Sequence, residues 1–187
     1  SSMGMRIAIV AGGLFLLLII AIIVSSFLGK ASRAQTDKMV DVATEQSEII
    51  RVTGLAEKKI SSSSTLDYAV TTRMSVQSSD ASLAQQLAKR GIKEKKLAAL
   101  KKQAVNSKTD KLLEDAATKN RYDETYTQII NEALARYQLK LQAAAGGATR
   151  SEKEVLRIAW EGVETLKKND PSAAAANNSP TTQATED

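Results

Sequence analysis

From Ile7 to Leu28 the chain is almost unbrokenly apolar and carries no ionisable side chain. As a helix rising about 1.5 Å per residue this stretch would be about 33 Å long, enough to cross a hydrocarbon core of about 30 Å. From Ala31 onward the pattern changes, and apolar positions recur every three or four residues among polar ones, the period of helices with one buried face. Together the two regimes predict an all-α chain: a tail at 1–6, a single transmembrane helix at 7–28, and an antiparallel bundle of about four or five helices over 31–168. Residues 169–187 hold both prolines and no large apolar side chain. They have too little to bury against their ordering entropy, so the pattern predicts a disordered tail.

Within the bundle region the first helix covers Ala31 to Ile60, its stripe formed by Met39, Val42, Ala43, Ile49, Ile50, Ala56 and Ile60 and interrupted by Gln46 and Thr53. Ser61 to Thr65 reads as a loop ending in a helix cap, because short hydroxyl side chains compete for backbone hydrogen bonds. A second helix is expected from Leu66 to Ser78 with Leu66, Ala69, Val70 and Met74 inward, although its β-branched residues keep a strand open as the alternative. Ser78-Ser79-Asp80 then caps a short helix through Leu83 and Leu87, which Gly91 ends. Helices follow over Lys93 to Ala104 and, after a turn at Asn106 to Thr109, through Leu112, Leu113, Ala116 and Ala117. The best periodicity lies between Arg121 and Gln142, where Tyr122, Tyr126, Ile130, Leu134, Tyr137 and Leu141 share a face. Gly146-Gly147 ends that helix, and Ser151 with Glu154 reads as the capping box of the last one.

The length of the apolar run exceeds the roughly 7–15 residues of a cleaved leader, which favours an uncleaved anchor, with Met3 or Met5 as the expected initiator. Two rules disagree on orientation. Arg6 against Lys30, Arg33 and Lys38 puts the bundle in the cytoplasm by the positive-inside count, whereas a long domain after a first apolar helix is translocated largely regardless of charge. With its Ala-, Ser-, Thr- and Gln-rich composition, the bundle is read as extracytoplasmic.

A net charge of +5 and 4% aromatic residues leave little for nucleic-acid recognition. The chain has no cysteine and no histidine. That excludes a disulfide framework, thiol and imidazole chemistry, and the Glu-x-x-His pairs of a di-metal bundle. No phosphate-cradling loop, dinucleotide fingerprint, nucleophile elbow or calcium loop is present, so no cofactor, metal or catalytic residue is expected.

Two candidate sites remain. Lys89, Arg90, Lys93, Lys95, Lys96, Lys101 and Lys102 stand against Glu94 alone and suit an anionic lipid or envelope polymer. Their spacing along a helix does not gather them on one face, and Gly91 divides them, so an ordinary solvated surface is the competing explanation. The second candidate is the row Tyr122, Tyr126 and Tyr137, whose hydroxyls suit a small-molecule pocket between helices or the rim of a core. Trp160 is expected either to close the bundle or to anchor an interface. The function expected from these features is that of a membrane-anchored interaction or scaffold protein of a bacterial cell envelope, binding the bilayer through 7–28 and a protein partner through the bundle. The alternative is a small-molecule-sensing bundle that signals through a partner membrane subunit.

Overall fold

A computed structural model describes residues 32–172. The apolar segment 7–28 and residues 173–187 of the expected tail lie outside the described residues. The chain divides into two compact units, 1–37 and 38–187, and the described part of the first, 32–37, is helical. The second unit comprises six helices: α1 (38–56), α2 (Ser63–Lys89), α3 (Glu94–Gln103), α4 (Ser107–Thr118), α5 (Tyr122–Ala145) and α6 (Arg150–Lys168). Among the described residues there is no strand, and no helix is long and apolar enough to cross a membrane.

Four long helices make the bundle, and side-chain pairs give their directions. Arg73 of α2 reaches back to Glu57 just past α1, so α1 and α2 are antiparallel. Glu45 of α1 holds Arg136 and Lys140 of α5, and Lys59 lies over the Tyr122 ring, so α1 and α5 are antiparallel too. Arg90 meets Glu152, and Gln138 meets both Glu164 and Lys167, which sets α6 antiparallel to α2 and α5. Helices α2 and α5 therefore run the same way, joined by the long crossover that α3 and α4 form. Asp80 with Lys101 fastens α3 to α2, and Arg51 with Asp110 fastens α4 to α1. The core between the long helices includes Met39, Ile49, Leu83, Leu87, Ile130, Leu134, Leu141 and Leu166.

Four long helices and the two of the crossover make six among the described residues, against the four or five expected for the bundle, and the boundaries differ in three places for local reasons. The helix expected to stop at Ser78 continues to Lys89, because Ser79 Oγ donates to Ser75 O at 3.2 Å and Ser82 Oγ to Ser78 O at 3.3 Å. Hydroxyls that could have capped a new helix bond back one turn within the old one. The inward face of α2 is also rotated from the expected one, with Tyr68, Ala69, Thr72 and Val76 buried and Met74 63% exposed. The capping box of α6 sits two residues upstream of the expected pair: Glu152 N donates to Thr149 Oγ1 at 3.4 Å and Thr149 N to Glu152 Oε2 at 2.8 Å. The carboxyl boundary shifts as well, since Asp170 accepts a hydrogen bond from Asn131 Nδ2 at 2.6 Å.

Turn chemistry elsewhere follows the residue types. Ser62 caps α2 and Asn106 caps α4 through their side-chain oxygens. Gly91 has φ +83° and lets the Ile92 N–H return to Leu87 O at 3.0 Å, closing the end of α2.

Candidate functional site

The tyrosine row forms part of the core. Tyr126 and Tyr137 are 0% and 1% exposed, and Tyr122 is buried nearer the end of α5. Tyr137 receives a hydrogen bond from Gln46 Nε2 at 2.6 Å. Burial raises the pKa of both inner phenols, so both stay protonated as donors or acceptors at neutral pH. Thr53, 0% exposed, donates to Ile49 O at 2.6 Å, with its hydroxyl beside that of Tyr126. Within the described residues Gln46 Oε1, Thr72 Oγ1 and the Tyr126 hydroxyl have no hydrogen-bond partner. Tyr68, which the periodicity did not single out, is buried on α2 and donates to Asn131 Oδ1 at 2.8 Å. Its signal was hidden because the buried face of α2 is partly polar, with Thr65, Thr72 and Gln86 among its buried residues, which lowers the contrast that periodicity detects.

The basic residues are treated differently by the fold. Arg90 is drawn inward onto Glu152, with Nε to Oε1 at 2.5 Å and Nη2 to Oε2 at 2.8 Å. The paired guanidinium, aided by the Thr149 N–H, holds the Glu152 carboxyl down at about 2. Lys101 is likewise held by Asp80 at 2.6 Å. Lys89, Lys93, Lys95, Lys96 and Lys102 are exposed and form no ion pair among the described residues.

Tertiary structure adds what helical spacing alone does not. The Arg90–Glu152 bridge joins the end of α2 to the start of α6, and Ser151 Oγ donates to Gln86 Oε1 at 3.3 Å alongside it. Exposed Arg150 and Lys153 of α6 therefore stand next to the cluster at Lys89 to Lys96. Because α2 runs antiparallel to α1, this is the end at which α1 begins. At the opposite end the charges alternate in sign: Lys59 and Arg121 sit with Asp123 and Glu124 around one surface depression. There the Asp123 carboxylate accepts from Ser61 N and from Ser62 N, the latter at 2.7 Å.

Between α5 and α6 runs a groove of about 330 Å³ lined by Leu141, Ala145, Leu156 and Trp160, with Lys153 and Arg157 at its edge. Trp160 is half-buried there and packs against the core. Arg157 is neutralised by Glu154 and Glu161 on its own helix. Comparison with protein-family models, curated proteins and solved structures gives no match to this chain.

Proposed function

We propose that this chain is a membrane-anchored helical bundle that acts by binding, an interaction or scaffold protein of the cell envelope held to the bilayer by 7–28. The observation that carries the proposal is how the bundle disposes of its functional groups. Tyr126 and Tyr137, two of the three tyrosines that would line a ligand pocket, are packed at 0% and 1% exposure, while a group of exposed cations without ion pairs among the described residues, Lys89, Lys93, Lys95, Lys96, Arg150 and Lys153, lies at one end of the bundle. Closed packing around the inner tyrosines and an exposed basic end suit a protein that presents a surface better than one that encloses a small molecule. The same packing weighs against the sensing alternative at Tyr126 and Tyr137; of the three tyrosines it calls on, Tyr122 lines the depression shared with Lys59, Asp123 and Glu124. Export of the bundle belongs to the proposal too, on the ground that a long domain following a first apolar helix is translocated largely regardless of charge.

The test is site-specific photocrosslinking of the full chain in its native membrane, with the reactive residue placed in turn at exposed Leu55, Leu112, Leu139 and Ile158. A discrete protein adduct of constant mass from one face supports the binding role. Absence of any protein adduct from all four positions, with a small molecule co-purifying instead, would contradict it.

A further inference from the structure

We infer that the end of the bundle formed by Lys89, Lys93, Lys95, Lys96, Arg150 and Lys153 docks onto the anionic headgroups of the membrane into which 7–28 inserts. The inference rests on the anchor proposed above and adds to it a second, electrostatic contact.

Three observations converge on this end. All six side chains are exposed and have no ion-pair partner among the described residues, whereas Arg90, Lys101 and Arg157 are engaged by carboxylates. The six come from the end of α2, the start of α3 and the start of α6, brought together by the Arg90–Glu152 and Gln86–Ser151 contacts. Their end of the bundle is also the one from which the chain leads back towards Leu28. By connectivity alone, nine residues lie between Leu28 and Lys38, and with 32–37 helical they reach at most about 23 Å.

That tether keeps the lysines close to the headgroup layer, where anionic lipid in the leaflet they face sets a negative surface potential over roughly one Debye length, about 8 Å at physiological salt. The opposite end, with Asp123 and Glu124 among its cations, would gain nothing from the same field. A tethered cluster also meets the surface at high effective concentration, so individually weak contacts suffice to orient the bundle. An anionic bilayer is the occupant that fits, because it offers a laterally extended array of phosphates to cations drawn from three helices. Few aromatics are available to stack the bases of a nucleic acid.

The absence of native cysteine makes the test direct. The full chain carrying a fluorophore at Ala143→Cys, in the last turn of α5 at the basic end, or at Ala117→Cys, near the opposite end, is reconstituted into vesicles containing headgroup-labelled acceptor. One set is pure phosphatidylcholine and the other contains 30% phosphatidylglycerol. Energy transfer from position 143 should rise on going to the anionic vesicles, fall again in high salt, and change less at position 117. Lys93→Gln/Lys95→Gln/Lys96→Gln should abolish the rise, and so should Arg150→Gln/Lys153→Gln. Each lost cation should weaken the contact roughly fivefold. Trp160 emission checks that each variant stays folded.

Equal transfer in the two lipids, or a rise unaffected by either set of substitutions, overturns the docking surface. So does loss of the rise when duplex DNA is added at matched phosphate concentration, since the end would then prefer nucleic acid. Flotation separates this from failure of the anchor. A chain that floats with neutral vesicles yet shows no lipid dependence retains its anchor and lacks the dock. A chain that floats only with anionic vesicles, in a salt-sensitive way, lacks the anchor and retains the dock.

Discussion

Gln46 of α1 donates its side-chain amide to the hydroxyl of Tyr137 on α5 at 2.6 Å, inside the bundle and across 91 positions of sequence. Eleven residues earlier on the same helix, the hydroxyl of Tyr126 is buried without a partner. The two phenols should therefore respond in opposite ways to loss of the oxygen. Tyr137→Phe strands the Gln46 amide and should cost about 1–3 kcal/mol, whereas Tyr126→Phe removes an unpaired polar atom and should be neutral or stabilising by up to about 1 kcal/mol. Gln46→Leu combined with Tyr137→Phe should recover much of the loss. Thermal unfolding of the full chain in detergent reads all three, and a Tyr137→Phe no less stable than Tyr126→Phe would refute the assignment.

The Arg90–Glu152 bridge predicts an acid-sensitive component of stability. The Glu152 carboxyl is held below its ordinary value near 4.5, at about 2, chiefly by the Arg90 guanidinium. A depressed folded-state pKa gives stability that is complete above about pH 4.5 and lost as the pH falls through that interval towards 2. The amount is on the order of 2–3 kcal/mol. Glu152→Gln should lower stability at neutral pH and flatten the curve between pH 4.5 and 2. An unchanged acid limb in that variant would show that other carboxylates carry it.

Two helical glycines should part company when replaced by alanine. A Cβ at Gly54 would meet Arg73 Cδ at 3.9 Å, an ordinary contact, while one at Gly162 would come to 3.0 Å from Ser75 Oγ where α6 crosses α2. Gly54→Ala should gain about 0.5–1 kcal/mol from helix propensity. Gly162→Ala should gain less or lose stability, and should recover when combined with Ser75→Ala. Denaturant titration of the three variants measures this, and equal gains at both glycines would contradict the close crossing.

At the opposite end, Asp123 gathers the backbone N–H groups of Ser61 and Ser62 and ties the α1–α2 turn to α5. Asp123→Ala leaves those donors to water and should cost about 1–2 kcal/mol, with faster amide exchange confined to the turn. Unaltered exchange at Ser61 and Ser62 would argue that the contact contributes nothing.

The helical fold was legible because the periodicity of α5 and α6 is strong and their ends carry glycine or a cap. What was not legible came from partners distant in sequence. Gln46 and Thr53 looked like interruptions of a stripe, yet they lie in the core, where the Tyr137 hydroxyl accepts from the Gln46 amide and the Ile49 carbonyl from the Thr53 hydroxyl. Met74 was expected inside and Tyr68 went unnoticed because the buried face of α2 includes Thr65, Thr72 and Gln86, which apolar periodicity does not register. For the basic residues, spacing along one helix argued against a single face. Their assembly needed the turn at Gly91 and the approach of α6, which no local pattern encodes.

The central claim, that the apolar segment 7–28 holds this bundle to a membrane, is tested most directly by alkaline carbonate extraction of native membranes, comparing the full chain with a variant lacking 7–28. The full-length polypeptide, with its amino-terminal segment intact, should stay in the membrane pellet while the shortened chain moves to the aqueous fraction. Recovery of the native protein in the aqueous fraction, whole or with that segment removed, would contradict it.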